Sequence, residues 1–285
     1  MPALKSIAFI INRDKSGAPG LGRQLIALAE SKGVVVDMID TFPIPDGYLE
    51  GKDACCVIGG DGTLLSAAVE ASRTGVPVFG VNRGSLGFLT TVGAEEALTN
   101  FTSVLEGDCL LDRRSMLECR KPDGSPGGPA LNDIVIKEEK TGRLATLRVQ
   151  ANDRDVTEYL CDGVIFSTPT GSTAYNLSAG GPIIEPHAPV IAMTPICPHT
   201  LSNRTVIFHE ETTIRIHNPE DSGTLDVTLD GQRHFSVEPG EELSVFISSR
   251  TFNLMQKADY SHFSVVRTKL GWIGGRKKGR SAPDH

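Results

Sequence analysis

The sequence predicts an α/β layer built on a parallel sheet, followed by a β-sandwich or a related all-β layer. In residues 1–112, short apolar runs alternate with stretches of helical spacing, a pattern typical of βαβ units. Beyond residue 112, short β-rich segments are separated by turn residues. The length of 285 residues also matches about two domains of ordinary size.

The first region carries the parallel-sheet pattern. Residues 54–58 form a continuous apolar run, as strands buried on both faces do. Leu25, Leu28 and Ala29 share one side of a helix that ends before Gly33. Strands are expected at residues 6–11, 34–39, 54–58 and 76–81, and helices at residues 24–31 and 63–73.

The second region is β-rich, and pairs such as Asp123-Gly124 and Asp230-Gly231 mark its turns. Strands are expected at residues 131–136, 144–150, 163–167, 212–216, 224–229 and 243–248. The C-terminal segment 260–285 is expected to pack back on the first region. The predicted division is therefore 1–112 completed by 260–285, with 113–259 as the second domain.

Composition excludes several classes of protein. Hydrophobic residues at 39% suffice for ordinary cores, and a net charge of −7 argues against a general nucleic-acid binder. No window is apolar enough for a transmembrane helix, and the N-terminus lacks a signal-peptide cleavage site. The spacing of the cysteines and histidines favours a reducing cytoplasm without disulfides or a structural metal. The basic cluster around Lys277 is interpreted as a solvated tail.

The first motif with chemical meaning is Gly59-Gly60-Asp61-Gly62-Thr63, between a predicted strand and a predicted helix. Glycines let the backbone approach a bulky anion, and a helix N-terminus favours negative charge. A carboxylate there suits holding Mg²⁺ or accepting a proton from an attacking hydroxyl group. A tight turn with Asp61 as helix N-cap is the structural alternative. Neither a P-loop nor the usual dinucleotide fingerprint is present.

Two further motifs indicate nucleotide binding. Asn132 and Asp133 lie at the start of a predicted strand, where they either form an ordinary turn or bind the vicinal hydroxyl groups of a ribose. Residues 163–184 carry no charge and are dense in hydroxyl groups and small side chains, with Tyr175 among them. Such a loop can hydrogen-bond and stack on a base, or it can be a structural turn. His199, between prolines and Arg204, is interpreted as a structural hydrogen-bonding residue.

These motifs, taken in order, resemble the NAD kinases. The resemblance spans nearly the whole chain, and residues 168–175 (Thr-Pro-Thr-Gly-Ser-Thr-Ala-Tyr) are its most specific part. The motifs that carry it are residues 59–63, 81–89, 132–133, 168–175, 198–201 and 267–272. The resemblance implies a Rossmann-like N-terminal domain, a β-sandwich C-terminal domain, and a homodimer or homotetramer with shared sites.

The resemblance also implies transfer of a phosphoryl group from ATP, with Mg²⁺ or another divalent cation, to the 2′-hydroxyl of the adenosine ribose of NAD. Asp61 would accept the proton. The glycine loop of Gly59, Gly60, Gly62 and Thr63 would lie against phosphate. The residues implied to bind NAD are Asp61, Gly62, Asn132, Asp133, Arg143, Asp162, Thr170, Thr173, Ala174, Tyr175, Asn176, Ser178 and Gln232.

Several alternatives stay open. Lipid and sugar kinases share the glycine loop, but they require an apolar channel or a sugar pocket instead of the hydroxyl-rich segment. A kinase that prefers NADH, or a non-catalytic NAD(H) sensor, would keep the same motifs. The chain also departs from many relatives, with Ser85 and Leu160 at positions that are often basic and Asp133 in place of the more frequent glutamate.

Overall fold

The computed structural model describes residues 2–84, 87–140, 142–200 and 202–272. The helices of these residues are α1 Ala18–Ser31, α2 Asp61–Thr74, α3 Ala97–Leu105, α4 Tyr175–Ser178 and α5 His262–Leu270. The strands are β1 Ser6–Ile11, β2 Val35–Ile39, β3 Ala54–Gly59, β4 Val78–Asn82, β5 Val92–Gly93, β6 Leu110–Arg120, β7 Pro126–Ala130, β8 Asp133–Glu138, β9 Ala145–Ala151, β10 Arg154–Cys161, β11 Gly163–Ser167, β12 Val190–Ile196, β13 Val206–His209, β14 Ile214–His217, β15 Leu225–Leu229, β16 Arg233–Val237 and β17 Glu242–Gln256.

The first region is a parallel sheet with strand order β2-β1-β3-β4. Every residue of β3 and β4 is buried, which explains their continuous apolar sequence. Phe9 and Leu25 pack on the side of α1 and α3, while Ile10 and Leu64 pack on the side of α2. The strand order reverses between β1 and β3, and such a switch point is where open α/β sheets bind ligands.

Helix α1 begins at Ala18, six residues before the predicted start. The prediction treated Pro19, Gly20 and Gly22 as a loop, which was wrong. Proline is tolerated in the first turn of a helix. Gly22 faces the sheet so closely that a Cβ atom there would lie 2.4 Å from Cδ1 of Ile11. The glycine therefore serves close packing between helix and strand rather than a turn.

The parallel sheet continues into the second region through β17. Its end pairs in parallel with β4, its first residues pair antiparallel with β14, and nearly its whole length pairs antiparallel with β6. Among the described residues this makes one sheet of eleven strands. The prediction covered only residues 243–248 of this long strand. The predicted boundary after residue 112 falls inside β6, and the division into domains stays a prediction.

The second sheet lies across this extension and completes a β-sandwich. In the described part of the chain it has six strands, in the order β13-β12-β11-β8-β15-β16. Leu147 and Val245 from the long sheet pack with Ile134, Phe166 and Val227 from the second sheet in one apolar core. The predicted fold class, a Rossmann-like N-terminal domain with a β-sandwich C-terminal domain, is confirmed.

The segment after β17 forms α5, and the Nζ atom of Lys269 lies 5.5 Å from the ring centre of Phe88 in the first region. Residues 273–285, the rest of the predicted C-terminal segment, lie outside the described residues. None of the described helices is both long and apolar enough to cross a membrane.

Candidate functional site

The glycine loop lies at the switch point of the parallel sheet. Strand β3 ends at Gly59, and α2 begins two residues later at Asp61. Asn12 follows the neighbouring strand β1, and its Nδ2 atom donates a hydrogen bond to Oγ1 of Thr63 at 3.1 Å. This bond crosses the crevice between the carboxyl ends of β1 and β3. The first turn of α2 thus directs its backbone N–H groups toward the crevice.

The carboxylate of Asp61 is held by the segment after β4. Its Oδ1 atom accepts from the N–H groups of Leu89 (3.2 Å) and Thr90 (2.9 Å) and from the Thr90 hydroxyl (2.8 Å). Its Oδ2 atom accepts from the N–H of Phe88 at 2.8 Å. A Cβ atom at Gly87 would lie 2.0 Å from Oδ1, so only glycine allows this approach. The carboxylate is therefore fixed in orientation, with acceptor capacity left on Oδ2.

The glycines of the loop differ in what surrounds them. A Cβ atom at Gly59 would lie 2.4 Å from Oγ1 of Thr63. At Gly60 and Gly62, by contrast, a Cβ atom would meet nothing within 4 Å. Gly59 is thus required by the protein's own packing. Gly60 and Gly62 leave open space beside the N-terminus of α2, and packing within the described protein does not demand glycine at either position.

A cavity of about 330 Å³ lies on the outer face of the second sheet. Asp133, Val135 and Lys137 alternate along β8 and form its floor, and Thr228 of β15 lies beside them. Tyr175 lies at its side, with its side chain partly exposed. The complete lining is Asn132, Asp133, Val135, Lys137, Ala174, Tyr175, Thr228, Asp230 and Gly231.

Two carboxylates, the buried Asp133 and the partly buried Asp230, lie at one end of this cavity. Burial, and then repulsion from Asp230, raise the pKa of Asp133 to about 7, and the nearby N–H of Tyr175 offsets part of that effect. Burial also raises the pKa of Asp230. Asp230 accepts from the N–H groups of Leu131 (2.8 Å), Asn132 (2.7 Å) and Asp133 (3.1 Å). It therefore fixes the segment that presents Asn132 and Asp133.

Sequence reasoning missed Asp230 and treated it as half of a turn. Its φ angle of 51° is left-handed, as its place before Gly231 in a turn suggests. A partly buried aspartate in such a turn carries no sequence signal that separates it from a fully exposed one. Only the pairing of β15 with β8 brings it to residues almost a hundred positions earlier.

The hydroxyl-rich segment closes around Asn132. The Thr168 hydroxyl donates to the Leu131 carbonyl at 2.6 Å and accepts from the N–H of Gly171 at 2.9 Å. A Cβ atom at Gly171 would lie 2.0 Å from the Asn132 carbonyl oxygen. Residues Thr170–Thr173 form a 3₁₀ turn that leads directly to Ala174 and Tyr175 at the cavity.

The side chains of this turn have protein partners. The Thr170 hydroxyl accepts from Nη1 of the buried Arg114 at 3.3 Å, and the Thr173 hydroxyl donates to the Thr170 carbonyl at 3.3 Å. Asn176 is fully buried: its Nδ2 donates to two backbone carbonyls, and its Oδ1 accepts from the Thr194 hydroxyl at 2.6 Å. Ser178 is exposed at the end of α4.

Gln232 joins the two parts of the site. Its Nε2 atom donates to the carbonyl oxygen of Gly62 at 3.3 Å. Gln232 follows Asp230 and Gly231, which line the cavity, while Gly62 belongs to the glycine loop. The structure thus brings the glycine loop and the cavity together across the boundary between the two regions.

Arg143 and Asp162 lie apart from this cluster, and Ser178 is likewise exposed outside the cavity lining. Arg143 is exposed between β8 and β9 and is not among the residues that line the cavity. Asp162 is exposed and precedes Gly163, which pairs with Lys137, whereas Ser167 at the other end of β11 pairs with Asp133. The structure therefore places Asp162 at the end of the second sheet away from the glycine loop.

Comparisons with known proteins agree with this architecture. The family model described as the ATP-NAD kinase N-terminal domain matches residues 48–109, and the ATP-NAD kinase C-terminal domain matches residues 131–257. The chain is 37% identical over 276 residues to the NAD kinase of Symbiobacterium thermophilum, covering 92% of this chain and 98% of that protein. It is 40% identical over 230 residues to the NAD kinase of Ectopseudomonas mendocina, covering 78% of each.

Solved structures give the same result. An NAD kinase from Archaeoglobus fulgidus in complex with ATP superposes with a TM-score of 0.79 at 25% identity, covering 94% of this chain and 100% of that one. A yeast NADH kinase complexed with NADH superposes with a TM-score of 0.84 at 25% identity, covering 98% and 91%. With both domain models matched and a relative aligned over nearly its full length, the chain belongs to the ATP-NAD kinase family.

Proposed function

We propose that the protein is an NAD kinase, which transfers the γ-phosphoryl group of ATP to the 2′-hydroxyl of the adenosine ribose of NAD and so makes NADP. One arrangement carries this proposal. A fixed carboxylate, Asp61, lies at an open glycine loop, and Gln232 joins that loop to a nucleotide-sized cavity. The sequence similarity to proteins named NAD kinase supports the same reaction.

Asp61 is the proposed proton acceptor. Three hydrogen bonds reach its Oδ1 atom, whereas Oδ2 accepts one, from Phe88. A carboxylate oxygen offers about two acceptor positions, so Oδ2 has room for a substrate hydroxyl. The ribose 2′-hydroxyl donates to Oδ2 and passes its proton there as its oxygen attacks the γ-phosphorus and the bond to ADP breaks. The fixed orientation of the carboxylate removes a reorganisation step from the reaction.

The glycine loop is the proposed phosphate site. Open space at Gly60 and Gly62 admits phosphate oxygens close to the backbone. The N-terminus of α2 contributes N–H donors and the positive end of the helix dipole. Phosphoryl transfer depends mainly on such positioning and charge stabilisation, since the transition state spreads negative charge over the transferred group.

We propose Mg²⁺ as the divalent cation that accompanies ATP. No cluster of three or more metal-ligating side chains occurs among the described residues. Mg²⁺ is commonly held by one or two carboxylates together with substrate phosphates, and this chain's residues fit that mode with Asp61 as the nearby carboxylate. When bound, the cation neutralises charge on the phosphates. Asp61 and the backbone of the glycine loop position the reacting groups around it.

The cavity is the proposed binding site for NAD. Asn132, Asp133, Ala174 and Tyr175 line it directly. Thr170, Thr173 and Asn176 hold the turn that presents Tyr175. Asp162, Arg143 and Ser178 are exposed beyond the cavity, where a second copy of the chain in a homodimer or homotetramer gives them a site to contribute to. Light scattering of purified protein that gives the mass of a monomer would contradict this last part.

The decisive experiment is an assay of product formation with purified protein, ATP and Mg²⁺, in which NADP is measured with NAD as acceptor and NADPH with NADH as acceptor. We expect NADP above the control without enzyme. Absence of product from either acceptor, with NAD binding intact by calorimetry, contradicts the kinase proposal and favours a sensor. Absence of both product and binding favours a lipid or sugar kinase, which a screen of those acceptors would identify.

A preference for NADH is the second candidate, because the fold also superposes on a yeast NADH kinase. The same assay tests it: a kcat/KM for NADH well above that for NAD would replace the first proposal. Reduced and oxidised nicotinamide differ by one positive charge, so the residues around the nicotinamide decide this preference.

A further inference from the structure

Lys137 is the cationic side chain among the residues that line the cavity. Two carboxylates, Asp133 and Asp230, line the same space. In the described part of the chain, Lys137 forms no ion pair with either carboxylate or with any other. A cation in a ligand cavity without a carboxylate partner is available for an anionic ligand.

Lys137 is held in place by neutral groups. Its Nζ atom donates to the Tyr175 hydroxyl at 2.8 Å and lies 4.8 Å from the centre of the Tyr175 ring. The stem of the side chain packs over the neighbouring strand, because a Cβ atom at Gly163 would lie 2.7 Å from Cγ of Lys137. Glycine at position 163 therefore leaves room for the lysine. The charge is preorganised at the cavity.

Tyr175 connects the two charged ends of the cavity. Its backbone N–H lies beside the carboxyl group of Asp133, and its hydroxyl accepts from Lys137. Asp133 and Lys137 are four residues apart on one face of β8, which separates their Cα atoms by about 13 Å. The cavity thus has an acceptor end for hydroxyl groups and a cationic end, with an aromatic ring between them.

A dinucleotide matches this distribution of charge. NAD carries sugar hydroxyls, an adenine base and a diphosphate with two negative charges. Without a cation, the diphosphate would enter a cavity that already holds Asp133 and Asp230, and like charges repel most strongly where water is excluded. A hydrogen bond from ammonium to phosphate is roughly twice as strong as one between neutral groups. Lys137 therefore gains by exchanging the phenol oxygen for a phosphate oxygen.

We propose that Lys137 binds the diphosphate of NAD and is a specificity-determining residue, selecting the dinucleotide over uncharged nucleosides. This inference rests on the proposed NAD kinase function. It adds a residue that neither the motifs nor the family resemblance indicated. It also gives the contact between Lys137 and Tyr175 a role as the resting position of the lysine in the ligand-free cavity.

The test compares charged and uncharged ligands on matched variants. Lys137→Met and Lys137→Arg are prepared beside Lys140→Met, which removes the same charge from an exposed position just beyond β8. Dissociation constants for NAD, ADP and adenosine are measured by calorimetry in the presence of a saturating non-hydrolysable ATP analogue, so that the proposed donor site is filled and only binding to the cavity is recorded. For Lys137→Met we expect values for NAD and ADP to rise about tenfold or more, as loss of a charged hydrogen bond predicts. The value for adenosine, and all three values for Lys140→Met, should stay within about twofold.

Lys137→Arg should restore most of the lost affinity for NAD and ADP, because arginine keeps the charge. If Lys137→Met weakened the binding of adenosine and of ADP equally, the inference would be overturned, since the lysine would then only hold the Tyr175 ring. Unchanged binding of all three ligands would overturn it as well.

Wild-type protein that binds NAD but forms no NADP contradicts the kinase function alone. Wild-type protein that forms NADP, with Lys137→Met unchanged in NAD and ADP binding, contradicts this inference alone.

Discussion

The glycine loop and the cavity floor place their aspartates in opposite environments. Asp61 sits at a half-exposed loop and accepts four hydrogen bonds from the segment after β4. Asp133 lies 6% exposed on a sheet face, and its main neighbour is a second carboxylate, Asp230. One aspartate is surrounded by donors, while the other is desolvated beside a like charge.

The difference indicates two uses of the same side chain. Donors around Asp61 fix a charged acceptor at the place where we propose that the proton is removed. Burial of Asp133 beside Asp230 raises its pKa to about 7, so that its charge depends on pH and on what enters the cavity. We therefore propose that the loop carries the reaction chemistry and that the floor recognises the acceptor.

Substitution of the loop carboxylate tests this division most strongly. We expect Asp61→Asn to lower kcat by about 10²–10⁴-fold, because general-base help is lost. The KM for NAD should change by no more than about threefold, because the cavity is intact. Steady-state kinetics measure both values, with the exposed Asp221→Asn as matched control. A variant with near wild-type kcat would exclude Asp61 as the proton acceptor.

The floor carboxylate should make stability depend on pH. Because the folded protein raises the pKa of Asp133 from 3.8 to about 7, the folded state retains a proton that the unfolded chain releases. This contribution is complete below the unfolded pKa and is lost as pH rises toward 7. Between pH 5 and pH 7 the loss should be of order 2–3 kcal/mol, and above pH 7 it should level off.

Urea unfolding of wild type and Asp133→Asn across that range measures the effect as a difference, with Asp221→Asn again as control. The variant should show a flatter dependence than wild type. Parallel pH profiles for the two proteins would mean that Asp133 is ionised throughout the range and that the cavity floor does not raise its pKa.

Substitutions of two glycines, one beside the cavity and one in the glycine loop, test the same comparison. Gly171→Ala places a Cβ atom 2.0 Å from the Asn132 carbonyl oxygen, so the backbone must shift. We expect a loss of about 1–3 kcal/mol in the free energy of unfolding, as overpacking usually costs, together with weaker NAD binding. Urea unfolding and calorimetry check this. Full stability in the variant would show that the turn has room to move.

Gly62→Ala should weaken ligand binding without lowering the free energy of unfolding. A Cβ atom there meets nothing within 4 Å, and alanine favours a helix over glycine by about 0.5–1 kcal/mol. The variant should therefore be as stable as wild type or slightly more so, yet bind ATP more weakly if phosphates approach the backbone. Unchanged KM for ATP would remove the reason for glycine at this position.

The sequence predicted the strands that lead to the site better than it predicted the residues that line the cavity. Continuous apolar runs identified β1 and β3, and alternation with turns identified three of the six strands described in the second sheet, namely β8, β11 and β15. The motifs pointed to Asp61, Asn132 and Tyr175. Asp230 and Lys137 were missed because each looks ordinary in its local sequence, as a turn residue and as a strand lysine respectively.

By itself, the sequence determined the strands and helices with a clear hydrophobic period, among them β1, β3 and α2, because periodicity is a local property. Only the tertiary structure decided which charges meet. Pairing of β15 with β8 brings Asp230 to Asp133, and the contact of Gln232 with Gly62 joins the cavity to the glycine loop. Burial and charge interaction depend on distance in space, so the pKa of Asp133 and the availability of Lys137 arise only once the sheets have assembled.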